Sequence, residues 1–409
     1  MTQVDVVIVG GGAVGLSLAL DLTAQTEMSI AVTESQPFAS EQSGHPVFDS
    51  RYLALGNASL EYLQHLMTDA PIVAALQACP IQHIQVSDQG YIGKCHLSAD
   101  TMRVAQLGAV APIQAIGQAL NNSFQQALAT RPSRVKSFSP DAVKQVEQHR
   151  DYVDVTLTSG QALRAKLIVI AEGGRSALKS QLGYTEQQVN YQQTAIIANV
   201  QMQQPHHAWA YERFTQHGPL ALLPILAAQP NQDSAVYSLV WTHDSADQQT
   251  LVRLVTDSEF FKQQLSLIIG QHHGVCERVS ERVCYPLTLK YVEQLHRHRS
   301  IVIGNAAQAL HPIAGQGLNL GLRDVIDAVA TLKSCSAETL GDWRSLAEYA
   351  QRRHRDRDAI ITATNGLVKG FSNHFWPLVL GRNGGLLLMN HVESLKYSFA
   401  QRAMGYRYA

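Results

Sequence analysis

Apolar residues along this chain follow two rhythms, and its first thirty-four residues carry both. Val4 to Val9 is a continuous apolar run of strand length, stopped by three consecutive glycines; from Ala13 to Gln25 apolar positions recur at helical spacing; a second short apolar run closes on Glu34. Strand, glycine turn, amphipathic helix and strand in that order make a βαβ unit. Two more buried strands stand far downstream, KLIVIA at Lys166 to Ala171 and SIVI at Ser300 to Ile303, and they also end in glycine, at Glu172-Gly173-Gly174 and Gly304-Asn305. Strands that are apolar throughout belong to parallel sheets covered on both faces. Ligands of such sheets bind outside the carboxyl ends of the strands, so the three turns are expected to converge on one ligand.

The intervening segments read differently. Residues 81 to 100 alternate and are punctuated by Asp88, Gly90 and Gly93, the pattern of a hairpin, and 133 to 163 reads as short strands with a turn at Ser159-Gly160. Residues 190 to 285 are β-rich, with strands expected at 194–203, 219–226 and 235–243; an antiparallel sheet there suits the wall of a substrate cavity. Helices are expected at Asn57 to Leu66, Ile113 to Ala129 and Leu318 to Lys333, and Ser35 to Ser50 reads as a polar loop. The expected fold is therefore α/β. A Rossmann-like domain (1–78 with 105–182 and 286–365) is interleaved with an antiparallel substrate domain (79–104 with 183–285), and 366–409 forms a helical C-terminus.

Composition narrows the class. With 409 residues and 45% hydrophobic content the chain can bury a core of about two domains. A formal net charge of −1 with 16% charged residues leaves no global electrostatic case for nucleic acid. Cys79, Cys95, Cys276, Cys284 and Cys335 are scattered, without a C-x-x-C, and read as buried reduced thiols of a cytoplasmic protein. The histidines, His206-His207 among them, have no metal-binding spacing, so no metal is expected. No apolar run reaches membrane-spanning length, and the glycines break the N-terminal run too early for a signal peptide.

The candidate chemistry sits in the turns. Gly10, Gly12 and Gly15 fill G-x-G-x-x-G, which serves a tight turn, close approach of backbone to a pyrophosphate, and helix packing. The helix N-terminus turns its N–H groups and positive dipole end toward the phosphates. Glu34 ends the second strand, where a carboxylate accepts the hydroxyls of an adenosine ribose and would repel the 2′-phosphate of NADP, so FAD or NAD is favoured. Arg51 reads either as a solvated residue or as a partner of the pyrophosphate. GNAAQALHPIAGQGLNLGLRD, Gly304 to Asp324, is a glycine-rich loop running into a helix: either an anion site or a connection that lets helix and strand pack closely. His311 within it reads as a structural histidine.

Together with FDSRYLAL around Arg51, YERFTQHGPLALLPI from Tyr211 and FSNHFWPLVLGRNGG…AQRAMG near the C-terminus, these stretches resemble the FAD-dependent aromatic hydroxylases, the class A flavoprotein monooxygenases. Within that class they are similar to the ubiquinone-biosynthesis hydroxylases of the 2-octaprenyl-6-methoxyphenol type. The resemblance implies that Gly10, Gly12, Ala13, Gly15 and Glu34 hold the ADP half of FAD, with Arg51 on its ribose or pyrophosphate side. Glu172-Gly173 stands where the family has Asp-Gly, serving FAD and NADPH, with Lys179 at an arginine position. Gly304-Asn305 contacts the ribityl and phosphate, Pro312 and the Gly315-Gln316-Gly317 turn lie along the isoalloxazine ring, and Leu318 and Asn319 also bind the cofactor. The implied reaction is reduction of FAD by NADPH, addition of O2 to give a C4a-hydroperoxide, and attack on a polyprenylated phenol, with no acid or base identified. Alternatives left open are a related hydroxylase acting at another ring position or on another aromatic, and a non-catalytic flavin subunit of a quinone-biosynthesis assembly.

Residues 366 to 405 interleave apolar side chains (Leu367, Phe371, Phe375, Trp376, Leu378, Leu380, Leu386 to Met389) with Lys396 and Arg402, and Arg407 follows. Such a segment lies peripherally on the inner face of a membrane, docks on a partner, or packs against the cofactor domain. The mixed-charge cluster Arg352 to Asp358 is expected to form an exposed helix face.

Overall fold

The computed structural model describes residues 1–38, 51–67, 70–173, 177–226, 235–270, 274–309, 316–371 and 376–406. In chain order the elements that build the site are β1 (Val6–Val9), α1 (Ala13–Gln25), β2 (Ile30–Thr33), β3 (Tyr52–Gly56), α2 (Asn57–Met67), β4 (His83–Asp88), β5 (Lys94–Ser98), β6 (Gly108–Pro112), α3 (Ile113–Thr130), β7 (Val135–Phe138), β8 (Leu167–Ile170), β9 (Glu186–Met202), β10 (Trp209–Thr215), β11 (Gly218–Ile225), β12 (Ala235–Asp244), β13 (Val283–Val292), β14 (Ser300–Val302), α4 (Gln316–Leu332), α5 (Trp343–Phe371), α6 (Trp376–His391) and α7 (Glu393–Ala403).

The three apolar strands read from the sequence are neighbours. A six-stranded sheet has the order β14-β8-β1-β2-β7, all parallel, with His296–Arg297 antiparallel at the β14 edge. Every residue of β1, β2 and β8 is buried, as two-sided covering requires. Helix α1 departs from the one-sided pattern expected of it. Gly15 to Thr23 are buried without interruption, since α3 and α4 both pack on the helix, and its buried Asp21 accepts a hydrogen bond from the Tyr62 hydroxyl at 2.6 Å.

The second layer is a nine-stranded sheet in which β13, β9, β12, β11, β10, β4 and β5 follow one another, extended by the short strands Gln308–Ala309 and Cys276–Val279. The β4–β5 hairpin joins it through parallel pairing of β4 with β10, so residues 83–98 and 186–292 form one wall. Strand β13 carries this wall to Val292, across the division expected at 285 and 286, because its ladder with β9 runs from Val283↔Ile197 to Val292↔Glu186. Cys79–Ile81 pairs instead with β6 in a small sheet shared with β3, on the cofactor side.

The C-terminal helices close the gap between the layers. Leu386 of α6 with Ala400 and Met404 of the α7 end share a core with Ala210, Phe214, Leu97 and Val110. The Met404 carbonyl accepts Ala58 N–H at 3.0 Å, and the Tyr406 hydroxyl bonds Glu61 at 2.6 Å and Asn57 at 2.8 Å. Of the three arrangements expected for this tail, packing is present. Three cysteines, Cys79, Cys95 and Cys276, are buried thiols as expected, whereas Cys284 is exposed and Cys335 is half-buried at the edge of the cofactor-layer core.

Candidate active site

Where the three turns meet, glycine is demanded by the protein itself at some positions and not at others. A Cβ at Gly10, whose φ is +113°, would stand 2.7 Å from Glu172 N, so the first turn presses directly on the second. At Gly15 it would stand 1.9 Å from the Gly10 carbonyl oxygen. Val14, in the first turn of α1, fills the hollow left by Gly304 (φ +61°) and Gly321, at 3.1 and 2.7 Å from where their Cβ atoms would be. These contacts bring the starts of α1 and α4 onto the rim formed by the ends of β1, β8 and β14.

Gly12 and Gly173 differ: a Cβ at either would meet no protein atom within 4 Å. Their glycines leave an open cradle bordered by the N-terminus of α1, where exposed backbone N–H groups and the helix dipole favour an anion. Glu34 borders the same turn. Its Oε2 accepts Gly11 N–H at 2.7 Å, and its Oε1 accepts Gln36 N–H and Ser35 O–H, each at 3.0 Å, which fixes the carboxylate beside the cradle. A pyrophosphate at Gly12 with its ribose against Glu34 fits this chemistry. Glu34→Lys is expected to lower the flavin content of the purified protein at least tenfold, since a charge-assisted hydrogen bond of about 1.5–3 kcal/mol is replaced by an opposed charge. Absorbance of the purified variant checks it, and wild-type flavin content would contradict the assignment.

The remaining expected residues are placed as follows. Arg51 is exposed just ahead of β3, and its carbonyl accepts Ile113 N–H at 3.0 Å. Ala13 opens α1; Glu172 is half-buried at the second turn; Asn305 is exposed beside Gly317, its Oδ1 3.8 Å from where a Gly317 Cβ would be. Gln316 and Gly317 open α4, and Leu318 packs on the core. Pro312, Gly315 and His311 lie outside the described residues, as does Gly174. Asn319, also expected to bind the cofactor, uses its side chain within the protein. It is buried, its Oδ1 accepts Gly56 N–H at 2.9 Å and its Nδ2 donates to the Ala54 carbonyl at 3.0 Å, so it ties β3 to α4. Lys179 is also buried, and its ammonium is paired with Glu186 at the start of β9, which joins the turn after β8 to the substrate sheet.

The largest departure from the sequence reading is the charged cluster on α5. Arg353 is 0% exposed and Arg357 3%, where an exposed face was expected. The Arg353 guanidinium donates to Asp324 at 2.5 Å, Asp356 at 2.6 Å and Asp327 at 3.3 Å, while Arg323 bonds the other oxygen of Asp356 at 3.0 Å. Burial works against the Arg353 charge, and the carboxylates of Asp324 and Asp356 more than offset it. The other oxygen of Asp324 accepts Gly304 N–H at 2.8 Å and Gln308 Nε2–H at 2.7 Å, so the whole network ends on the third glycine turn. The nearby Tyr349 hydroxyl, also on α5, donates to the Val302 carbonyl at 3.0 Å. Asp324, Asp327 and Arg353 were missed. Their signal was two carboxylates three residues apart within the apolar stripe of α4, a place where charge is buried only when paired.

Comparison with known proteins agrees with this geometry. The FAD binding domain family matches residues 3–364. Ubiquinone hydroxylase UbiL of Rhodospirillum rubrum is 33% identical over 98% of this chain and 89% of its own. The 3-demethoxyubiquinol 3-hydroxylase of Escherichia coli is 28% identical, with 98% of both chains covered. Among solved structures, p-nitrophenol 4-monooxygenase PnpA of Pseudomonas putida shares the fold with a TM-score of 0.77 over the full length of both chains, at 17% identity. With a cradle shaped for a dinucleotide and a family match over nearly nine-tenths of its length, the chain belongs to the FAD binding domain family and is an FAD-dependent monooxygenase.

Proposed function

We propose that this enzyme hydroxylates a polyprenylated phenol in ubiquinone biosynthesis, of the 2-octaprenyl-6-methoxyphenol type, with NADPH and O2 as co-substrates. The supporting observation is that the likeness to a ubiquinone hydroxylase runs through both layers of the fold and the C-terminal tail, not the cofactor domain alone. FAD supplies reductive activation of oxygen when it is bound. The chain's own residues do the rest. Gly12 and Gly173 leave room for the phosphates and Glu34 orients the ribose. Asp324 holds the Gly304 turn at the ribityl end, and the nine-stranded sheet with the small β3–β6 sheet walls off water from the ring.

A second reading, hydroxylation at another ring position, is favoured by the relative named for the 3-position of demethoxyubiquinol. Complementation of a strain lacking its own hydroxylase, with mass analysis of the quinone intermediates, separates the two. Restored ubiquinone in a strain blocked at 2-octaprenyl-6-methoxyphenol supports the first, restoration only in a strain blocked at the demethoxyubiquinol step supports the second, and unchanged accumulation of the prenylated precursor in both strains removes both. Flavin that stays oxidised when NADPH and phenol are mixed with the holoenzyme in stopped flow would remove the co-substrate assignment.

Peripheral contact with the inner face of a membrane belongs to the same proposal. On α6, Val379, Asn383 and Leu386 face inward, while Trp376 (69% exposed), Leu380 (62%) and Leu388 (54%) form an apolar stripe facing out. No described helix is long and apolar enough to cross a membrane. Trp376→Ser combined with Leu380→Ser is expected to reduce co-sedimentation with anionic phospholipid vesicles several-fold and to leave flavin content unchanged, because neither side chain reaches the cofactor domain. Undiminished co-sedimentation would remove the stripe as the contact.

A further inference from the structure

Glu212 lies on β10 with its side chain on the same face of the nine-stranded sheet as Ala210 and Phe214. That face is the one turned to the cofactor side: its core includes Val110 of β6, with Tyr52 of β3 packed on it, and β3 is the strand that Asn319 ties to the start of α4. Across the ladder Glu212 stands opposite Ala221 of β11 and Val86 of β4. A carboxyl is thus set among Ala210, Phe214, Ala221 and Val86, and no described residue gives it a hydrogen bond or a counter-ion.

It is nevertheless not sealed. The residue is half-buried rather than packed away in a core, so its carboxyl can be reached. A carboxyl withdrawn from water without a partner is costly, and where the buried acids among the described residues (Asp21, Asp88, Asp324 and Asp327) are all hydrogen-bonded, this half-buried one is left for something that enters.

We propose that Glu212 is the residue that receives the phenolic hydroxyl of the aromatic substrate, accepting its hydrogen bond and thereby orienting the ring between the sheet wall and the flavin site. The inference rests on the aromatic-hydroxylase reading above and names the contact that reading lacks. In the ionised state the Glu212 carboxylate takes the O–H proton of the phenol toward its own oxygen and leaves negative charge on the phenol oxygen; no oxidant or other reactant enters this step. Burial pushes the Glu212 carboxyl up to about 7, so it changes state within the physiological range. The other ionisable groups on this layer are Asp88, held by Arg382 of α6 at 2.7 Å, Tyr52 of β3, Cys95 of β5, Lys396 of α7 and Tyr406, whose hydroxyl is bonded to Glu61 and Asn57, and burial alone raises the Glu212 carboxyl.

The test uses the FAD-loaded enzyme, with a short-chain 2-prenylphenol and its O-methyl ether as probes, and reads the perturbation of flavin absorbance on titration. Wild type is expected to bind the phenol at least about tenfold tighter than the ether, as a hydrogen bond to a charged acceptor allows, with the ratio growing as pH rises through 7. In Glu212→Leu the ratio falls to near one while the affinity for the ether and the flavin content hold; in Glu212→Gln the phenol still binds but the pH dependence is lost. If Glu212→Leu keeps the wild-type ratio, Glu212 is not the contact, although the hydroxylase reading survives. If wild type perturbs its flavin with neither probe, both the contact and that reading fall.

Discussion

Arg353→Leu is expected to cost the protein about 3–5 kcal/mol of stability, the range measured when one member of a buried ion network is removed and its partners stay behind. Three carboxylates converge on this guanidinium, from α4 and from α5 itself, and the nearest is the one that holds Gly304 N–H and Gln308. Leucine fills part of the volume but removes the cation that Asp324 and Asp327 face inside the core. The loss should therefore appear twice, as a lower unfolding midpoint in denaturant and as weaker FAD retention, because the third glycine turn loses its anchor. Asp324→Asn, which keeps one oxygen for Gly304 N–H, is expected to lose less of both. An Arg353→Leu protein of wild-type stability and full flavin content would show that the network neither supports the fold nor holds the turn.

Gly12→Val separates cofactor loss from unfolding. Gly12 precedes α1 with φ −74° and ψ −179°, extended backbone that valine adopts readily, and no protein atom occupies the space the new side chain would take. The variant is expected to fold with wild-type circular dichroism and unfolding midpoint, yet to purify essentially without flavin, since the branched side chain fills the cradle where a pyrophosphate must approach the backbone. Gly15→Ala is the contrast. Its Cβ would collide with the Gly10 carbonyl at 1.9 Å, so the backbone must shift, and a loss of stability is expected together with any loss of flavin. Yellow, fully loaded Gly12→Val protein would mean that the open space at this turn is not where the phosphates lie.

These two variants mark how far the residue pattern reaches. The position of Gly12 in its fingerprint, the strand ends at Val9, Ile170 and Val302, and the carboxylate of Glu34 follow from short-range regularities: a run of apolar residues, a glycine, a fixed interval. The hairpin at β4 and β5 and the long helix after Gln316 are legible for the same reason. Arg353 is not. Its immediate neighbours are Arg352, His354 and Arg355, which read as a solvated face, and only the approach of α4, 29 residues away along the chain, supplies the carboxylates that take it into the core. The clamp that the Asn319 side chain forms on β3 is not legible either, because it needs a strand 265 residues earlier to lie beside it. Glu212 sits in an alternating strand where neither periodicity nor motif says which face is turned inward until the cofactor layer and the C-terminal helices cover it.

By itself, then, the order of amino acids determined the βαβ unit, the parallel strands with their glycine ends, and the chemistry of a dinucleotide cofactor, all of which are written in intervals of a few residues. Tertiary structure alone decided which charges are buried, that the tail from Trp376 seals the seam between the layers, and that the carboxyl of Glu212 stands in the sheet wall without a described partner. Burial and pairing are properties of what packs opposite, and what packs opposite comes from 29 residues away for Arg353 and from 265 residues away for Asn319.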